Sequence, residues 1–237
     1  PAMPSSALPA NTARRAVLCS GAALAAGCAV PAPPADGPSA PAPVVRVGER
    51  WRYEKVNLYN GERIALQSMQ VVRTGPDVRV RVTDADGREG PEEVYAAPWR
   101  VVQEPAYDQV QIFREPVPLL PQRLAPGTHE RRQTVYHLPG SERSLYWSEW
   151  LDVTGWERVR VPAGEFDTLR IERRIGFVHA EIWREQSSRM DTLWYAPAVA
   201  RWVQRTWTGT YFWPGTRRVP LREDNIAWRL LEHTAVA

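Results

Sequence analysis

Cysteine is nearly absent from this sequence. Only Cys19 and Cys28 occur among 237 residues, and both stand at the N-terminal end. A disulfide framework or a cysteine metal site in the body of the chain is thereby excluded. Histidine is scarce as well: His129, His137, His179 and His233 never form close pairs at ligand spacing, which argues against a zinc site. Lys55 is the only lysine, so nearly every cation is an arginine, a preference that high-GC codon usage explains as readily as function does. No apolar run reaches the ~20 residues that a membrane-spanning helix needs. No long amphipathic helix pattern is present either; between Leu221 and Leu231, Ile226, Trp228 and Leu230 alternate as strand residues do.

Chemistry is equally thin. A glycine-x-serine-x-glycine elbow is missing, and Ser144 and Ser148 lack the local context of a nucleophile. Thr83-Asp-Ala-Asp-Gly87, with Glu89, Glu92 and Glu93 following, begins like a calcium loop. It lacks the third acidic ligand and the spacing to a bidentate glutamate, so it reads as a hairpin turn with solvated carboxylates. Glu165 and Asp167 flank Phe166 and are read as solvated strand residues. The expectation is a non-enzyme with no catalytic residue, no metal and no cofactor. The formal charge of +3 falls to about +1 once Arg14 and Arg15 are removed with a leader, too weak a field to steer nucleic acid.

What is present begins with that leader. Met3 is read as the natural start, Arg14 and Arg15 as a positive n-region, and Ala16 to Ala26 as a short apolar core. The run ends in Leu24-Ala-Ala-Gly-Cys28, which resembles the lipobox of bacterial lipoproteins. Small residues before the cysteine suit the signal peptidase cleft, and the thiol accepts the lipid. Cys28 is therefore the expected lipidation site, and the membrane an expected partner through its acyl chains. The arginine pair resembles a twin-arginine signal, but Ala13, Val17 and Cys19 depart from that pattern, so general secretion is expected. Ala29 stands where an aspartate would favour inner-membrane retention in enteric bacteria. Its presence points to the outer membrane, facing the periplasm.

Three segments follow: a leader over 1–27, a Pro/Ala-rich tether over 28–43, and a folded domain over 44–237. The tether buries too little apolar surface to order itself. All eleven tryptophans, eight tyrosines and four phenylalanines fall after residue 50. Within the domain, Asn60-Gly61, Gly75-Pro-Asp77 and Asp86-Gly87 are turn signals between alternating runs such as Val78-Arg-Val-Arg-Val82. Residues 98–126 carry many prolines and read as irregular or edge structure around Val110–Phe113. Strands resume at 133–137 and 144–153 and continue through 155–207 and 225–234. The fold class is all-β: a single antiparallel sandwich or open half-barrel of roughly ten to twelve strands.

The most informative stretch is Gly155 to Val203. Val159 and Val161 alternate with Arg158 and Arg160, Pro162-Ala-Gly164 reverses the chain, and Leu169 and Ile171 alternate with Arg170 and Glu172 on the return. Val159-Arg-Val-Pro-Ala-Gly-Glu-Phe166, with Trp194-Tyr-Ala-Pro197 and Arg201-Trp-Val203, resembles an uncharacterised family of proteobacterial envelope lipoproteins. Its members carry a valine-proline-alanine-glycine-x-phenylalanine turn and a tryptophan-tyrosine-x-proline strand end. Gly48-Glu-Arg-Trp51 with Tyr53 is a weaker match. The resemblance implies an exported β-rich domain, loosely like the half-barrels of lipoprotein carriers. It implies no activity and no catalytic residues.

The aromatic excess admits two readings. One is a thick core, with further tryptophans stacked on arginines of the outer face. The other is an aromatic surface that binds a partner protein or a hydrophobic ligand. Trp202, Trp207, Tyr211, Phe212 and Trp213 are the candidate binding residues, the last three on a loop or strand end near Pro214-Gly215. The expected function is a lipid-anchored, non-enzymatic binding or scaffolding module of the envelope. The alternatives are a carrier or sensor of a lipid or acyl chain, and, with least support, an envelope hydrolase.

Overall fold

The computed structural model describes residues 37–107, 109–215 and 219–236. Cys28 and the leader lie outside them. Twelve strands run antiparallel in chain order: β1 (Arg50–Asn57), β2 (Arg63–Arg73), β3 (Val78–Thr83), β4 (Glu93–Ala97), β5 (Arg100–Glu104), β6 (Gln111–Pro118), β7 (His129–His137), β8 (Leu145–Val161), β9 (Gly164–Phe177), β10 (Glu185–Ala196), β11 (Arg201–Phe212) and β12 (Leu221–Thr234). β1 pairs with β12, from Arg50 opposite Thr234 to Asn57 opposite Ile226, so the sheet closes into a barrel. The all-β reading and the strand number hold, and closure goes beyond the open barrel by removing both free edges. The one helical element among the described residues is a 3-10 turn, Pro197–Val199.

The turns obey their local chemistry. Gly61 and Gly164 take φ of +75° and +136°, where a Cβ would be strained, and they close the β1–β2 and β8–β9 hairpins. In the calcium-like loop the Asp84 carboxylate accepts the backbone N–H groups of Asp86 and Arg88, both at 2.9 Å, which is hairpin-turn chemistry. The proline-rich stretch differs from expectation, because it supplies two strands of the ring, β5 and β6. Its prolines show instead as a weak seam: β6 meets β7 at two register positions, Ile112 with His137 and Phe113 with Tyr136.

A ring of twelve strands encloses more space than aliphatic side chains fill; eight strands give an interior that they just fill. Here the volume is taken by large groups. The fully buried side chains include Trp51, Trp99, Trp147, Trp202 and Trp207, together with Arg173, Arg201 and Arg205. Most of the aromatic excess is thus lumen filling. The outer wall is wet, with the cross-strand pair Arg158–Asp167 at 3.0 Å and the same-strand pair Arg170–Glu172 at 2.7 Å. Trp150 and Trp194 lie outside beneath Arg131 and Arg170, as the stacking reading expects.

Candidate functional site

The stretch that carries the resemblance seals one end of the barrel. Pro162 and Ala163 turn β8 into β9 there, and the 3-10 turn at Pro197–Val199 joins β10 to β11. The Trp51 indole N–H donates to the Val199 carbonyl at 2.9 Å, and that of Trp99 to the Ala200 carbonyl at 2.7 Å. The Tyr53 hydroxyl donates to the Trp202 carbonyl at 2.7 Å. The weaker match, Gly48–Tyr53, therefore meets the stronger one in space. Residues 37–43 lie over this same end: Trp156 Nε1 donates to Pro38 O at 2.8 Å, and Ala40 N to Leu124 O at 2.7 Å.

Mid-barrel, charges replace the aromatics. Asp191 on β10 accepts from Arg173 Nη1 at 2.5 Å, and from Arg205 Nε and Nη2 at 3.0 and 2.8 Å. Arg173 also reaches Glu149 at 2.8 Å, and Arg205 reaches Glu104 at 2.8 Å. Nearer the sealed end Arg201 donates to Glu93 at 2.7 Å, and Tyr95 donates to the same oxygen at 2.8 Å. Burial would lift the Asp191 carboxyl, but Arg205 and Arg173 override it and hold it below the usual range. Glu149 moves the other way: burial pushes it up, and the Arg173 contact only partly offsets this. Its Oε1 has no hydrogen-bond partner among the described residues, so one arginine contact does not suffice. Arg173, by contrast, is held firmly charged against its own burial by Glu149 and Asp191 together.

Arg189, on the same wall of β10, is 4% exposed and makes no carboxylate contact among the described residues. Its guanidinium lies 3.1 Å from the Tyr107 ring centroid and 4.6 Å from that of Trp207.

At the end opposite the seal a cleft of about 240 Å³ enters the lumen. The β3–β4 loop (Gly90, Pro91) and the β5–β6 loop (Pro105–Tyr107) frame it, and its walls include Lys55, Met69, Trp202, Arg205 and Trp228. Lys55 faces inward because it stands opposite Trp228 in the β1–β12 register, its Nζ 4.9 Å from that ring's centroid.

The five candidate aromatics divide. Trp202 (2% exposed) and Trp207 (1%) are lumen residues; Trp202 lines the cleft, and Trp207 packs on Trp228 with centroids 4.4 Å apart. Tyr211 and Phe212 are part-buried at the end of β11, and Trp213 is 48% exposed beyond it. This strand end lies on the same side of the barrel as the cleft mouth, since Tyr211 pairs with Leu221 and Leu58 N donates to Asn225 O. Sequence reasoning missed Lys55 and the ionic layer. The available signal was charge at inward positions of otherwise alternating strands: Glu149 between Trp147 and Leu151, and Arg173 between Ile171 and Ile175.

No family model matches the sequence, and no curated protein matches it. Among solved structures, a protein described as exported, with a YmcC-like fold, from Bacteroides fragilis aligns over 83% of this chain and all of its own, at 14% identity and a TM-score of 0.51. A protein described as a lipoprotein from Parabacteroides distasonis aligns over 80% of this chain and 96% of its own, at 13% identity and a TM-score of 0.49. The lipoprotein YmcC of Escherichia coli aligns over 80% of this chain and 86% of its own, at 9% identity and 0.42. The chain is thus similar to the Bacteroides fragilis protein in fold, and the likeness is one of architecture alone.

Proposed function

We propose that this protein is an envelope lipoprotein, anchored by acyl chains on Cys28 at the periplasmic face of the outer membrane, whose barrel is a non-enzymatic binding module. The observation that carries the binding reading is a cleft at one end of an otherwise filled barrel. The inward-facing carboxylates Glu93, Glu104, Glu149 and Asp191 converge as those of a hydrolase would, but each is engaged by an arginine. Removing either member of such a buried pair strands a charge, so these contacts are read as structural. A carrier of a whole acyl chain is less well supported, because the cleft that enters the lumen among the described residues measures about 240 Å³, short of what a long chain fills. The lipobox-like Leu24–Cys28 supports the anchor, since dual acylation gives stable membrane binding.

Two measurements test the reading. Fractionation should place the protein with membranes and release it when Cys28→Ser is introduced; unchanged membrane binding of that variant counts against the anchor. Native mass spectrometry of protein taken from its own envelope should show a retained ligand or partner. A bare mass under gentle conditions counts against the module.

A further inference from the structure

We propose that the cleft binds a short organic acid, its carboxylate held by Lys55 and its apolar body lying along the cleft wall. The inference rests on reading the barrel as a binding module. Lys55 is the only lysine in the sequence, and the fold turns it into the lumen. No carboxylate lies within ion-pair distance of its ammonium among the described residues; its close neighbour is the Trp228 ring. The other charges on the cleft wall are engaged: Arg205 by Asp191 and Glu104, and Glu93 by Arg201 and Tyr95. Two further wall donors, Trp202 Nε1 and the Tyr107 hydroxyl, are buried with no hydrogen-bond partner among the described residues. Arg189, with no carboxylate contact among the described residues, lies over the Tyr107 and Trp207 rings and does not line the cleft.

The vacant capacity is therefore one positive charge and neutral donors, and its complement is a monoanion that accepts hydrogen bonds. Much of the remaining wall is apolar, including Met69, Val82, Ala106 and Trp228, which calls for an organic body rather than inorganic phosphate. The volume suits a molecule of about eight water-sized groups, so a six-carbon acid fits better than a fatty acid. Burial lowers the Lys55 pKa; Asp224 on β12 opposes this, while Arg189 and Arg205 on β10 and β11 add to it. Glu93 on β4 and Tyr107 in the β5–β6 loop complete the titratable groups on the cleft wall. An incoming carboxylate relieves that cost and should raise the amine's pKa.

The single lysine makes the test specific. Reductive methylation of the full chain with carbon-13 formaldehyde places one labelled side-chain amine in the molecule, at Lys55. Hexanoate is expected to shift that resonance saturably and to raise its titration midpoint, while hexanamide and inorganic phosphate leave it in place. Lys55→Met should bind hexanoate at least tenfold more weakly, read from tryptophan fluorescence, and Lys55→Arg should lose less. Affinity should peak near hexanoate in a series from butanoate to dodecanoate. Equal binding of hexanamide and hexanoate, unchanged hexanoate binding by Lys55→Met, or no saturable shift with any acid of the series would overturn the proposal. Should Lys55→Met fail to fold, the methylated wild-type titration decides alone. A partner protein retained in native mass spectrometry, with Lys55 silent to every acid, would remove this site and leave the module reading standing.

Discussion

Asp191 and Arg205 face each other in the middle of the barrel through two parallel hydrogen bonds, Nε to Oδ1 at 3.0 Å and Nη2 to Oδ2 at 2.8 Å. The Asp191 side chain is fully buried and that of Arg205 nearly so, and Arg173 shares the same carboxylate. Removing one member of a buried pair strands the other charge, which costs about 3–5 kcal/mol. Asp191→Asn should therefore lower the urea midpoint by an amount equivalent to a loss in that range. A loss below about 1 kcal/mol, the scale of exposed pairs, would show that water reaches the lumen and screens the network.

Glu149 and Asp191 should give opposite pH signatures. Asp191 has its folded-state pKa depressed, so its contribution is present above the unfolded value of 3.8 and is lost as pH falls through the folded one. Glu149 has its folded-state pKa raised, so it favours the fold most below its unfolded value of 4.5 and disfavours it as pH rises through the folded one. Relative to wild type, Glu149→Gln should become progressively more stable as pH goes from 4 to 8, with Arg173 still held by Asp191. Denaturant midpoints at several pH values measure this, and a flat or falling difference would contradict the raised carboxyl.

The core and rim aromatics should separate on truncation. Trp207→Ala empties lumen space between Tyr107 and Trp228 and should cost about 3–5 kcal/mol, as other buried aromatic truncations do. Tyr211→Ala combined with Trp213→Ala removes a part-buried ring near Arg184 and an exposed one, so the melting temperature should change far less. If the rim contributes to binding, the double variant stays folded and loses ligand or partner. A loss of stability as large as that of Trp207→Ala would make the rim a cap on the barrel.

At the β8–β9 turn, Gly164→Val should cost about 1–3 kcal/mol, because a β-branched residue is forced to positive φ. Gly90→Ala is the matching control: its φ is ordinary, and the contact its Cβ would make is 3.8 Å from the Val82 carbonyl. Gly37 does not serve as a control, since a Cβ there would meet Trp156 Cδ1 at 3.0 Å. Equal melting temperatures for Gly164→Val and Gly90→Ala would argue against the turn.

The sequence by itself determined the strands, because alternation and turn chemistry are local. Val78–Val82, Asn60-Gly61 and Pro162–Gly164 all fold as their residues dictate. It also determined that Trp194 and Tyr195 point to opposite faces, since neighbouring side chains on a strand must. The proline-rich stretch departs from the irregular or edge structure its residues suggest: proline forbids a ladder donor only at its own position, and a weak seam in a closed ring tolerates that loss. Only the tertiary structure decided closure and what the lumen holds. Glu104 reaches Arg205 across 101 positions of sequence and Glu93 reaches Arg201 across 108, distances at which no local pattern couples two residues. Arg173 meets Asp191 on the neighbouring strand, but until β1 joins β12 Glu93 and Glu104 have no arginine across the lumen, and Lys55 has no wall to face. Closure fixes both at once: it brings Glu93 and Glu104 to arginines across the lumen and leaves the single lysine beside a cleft.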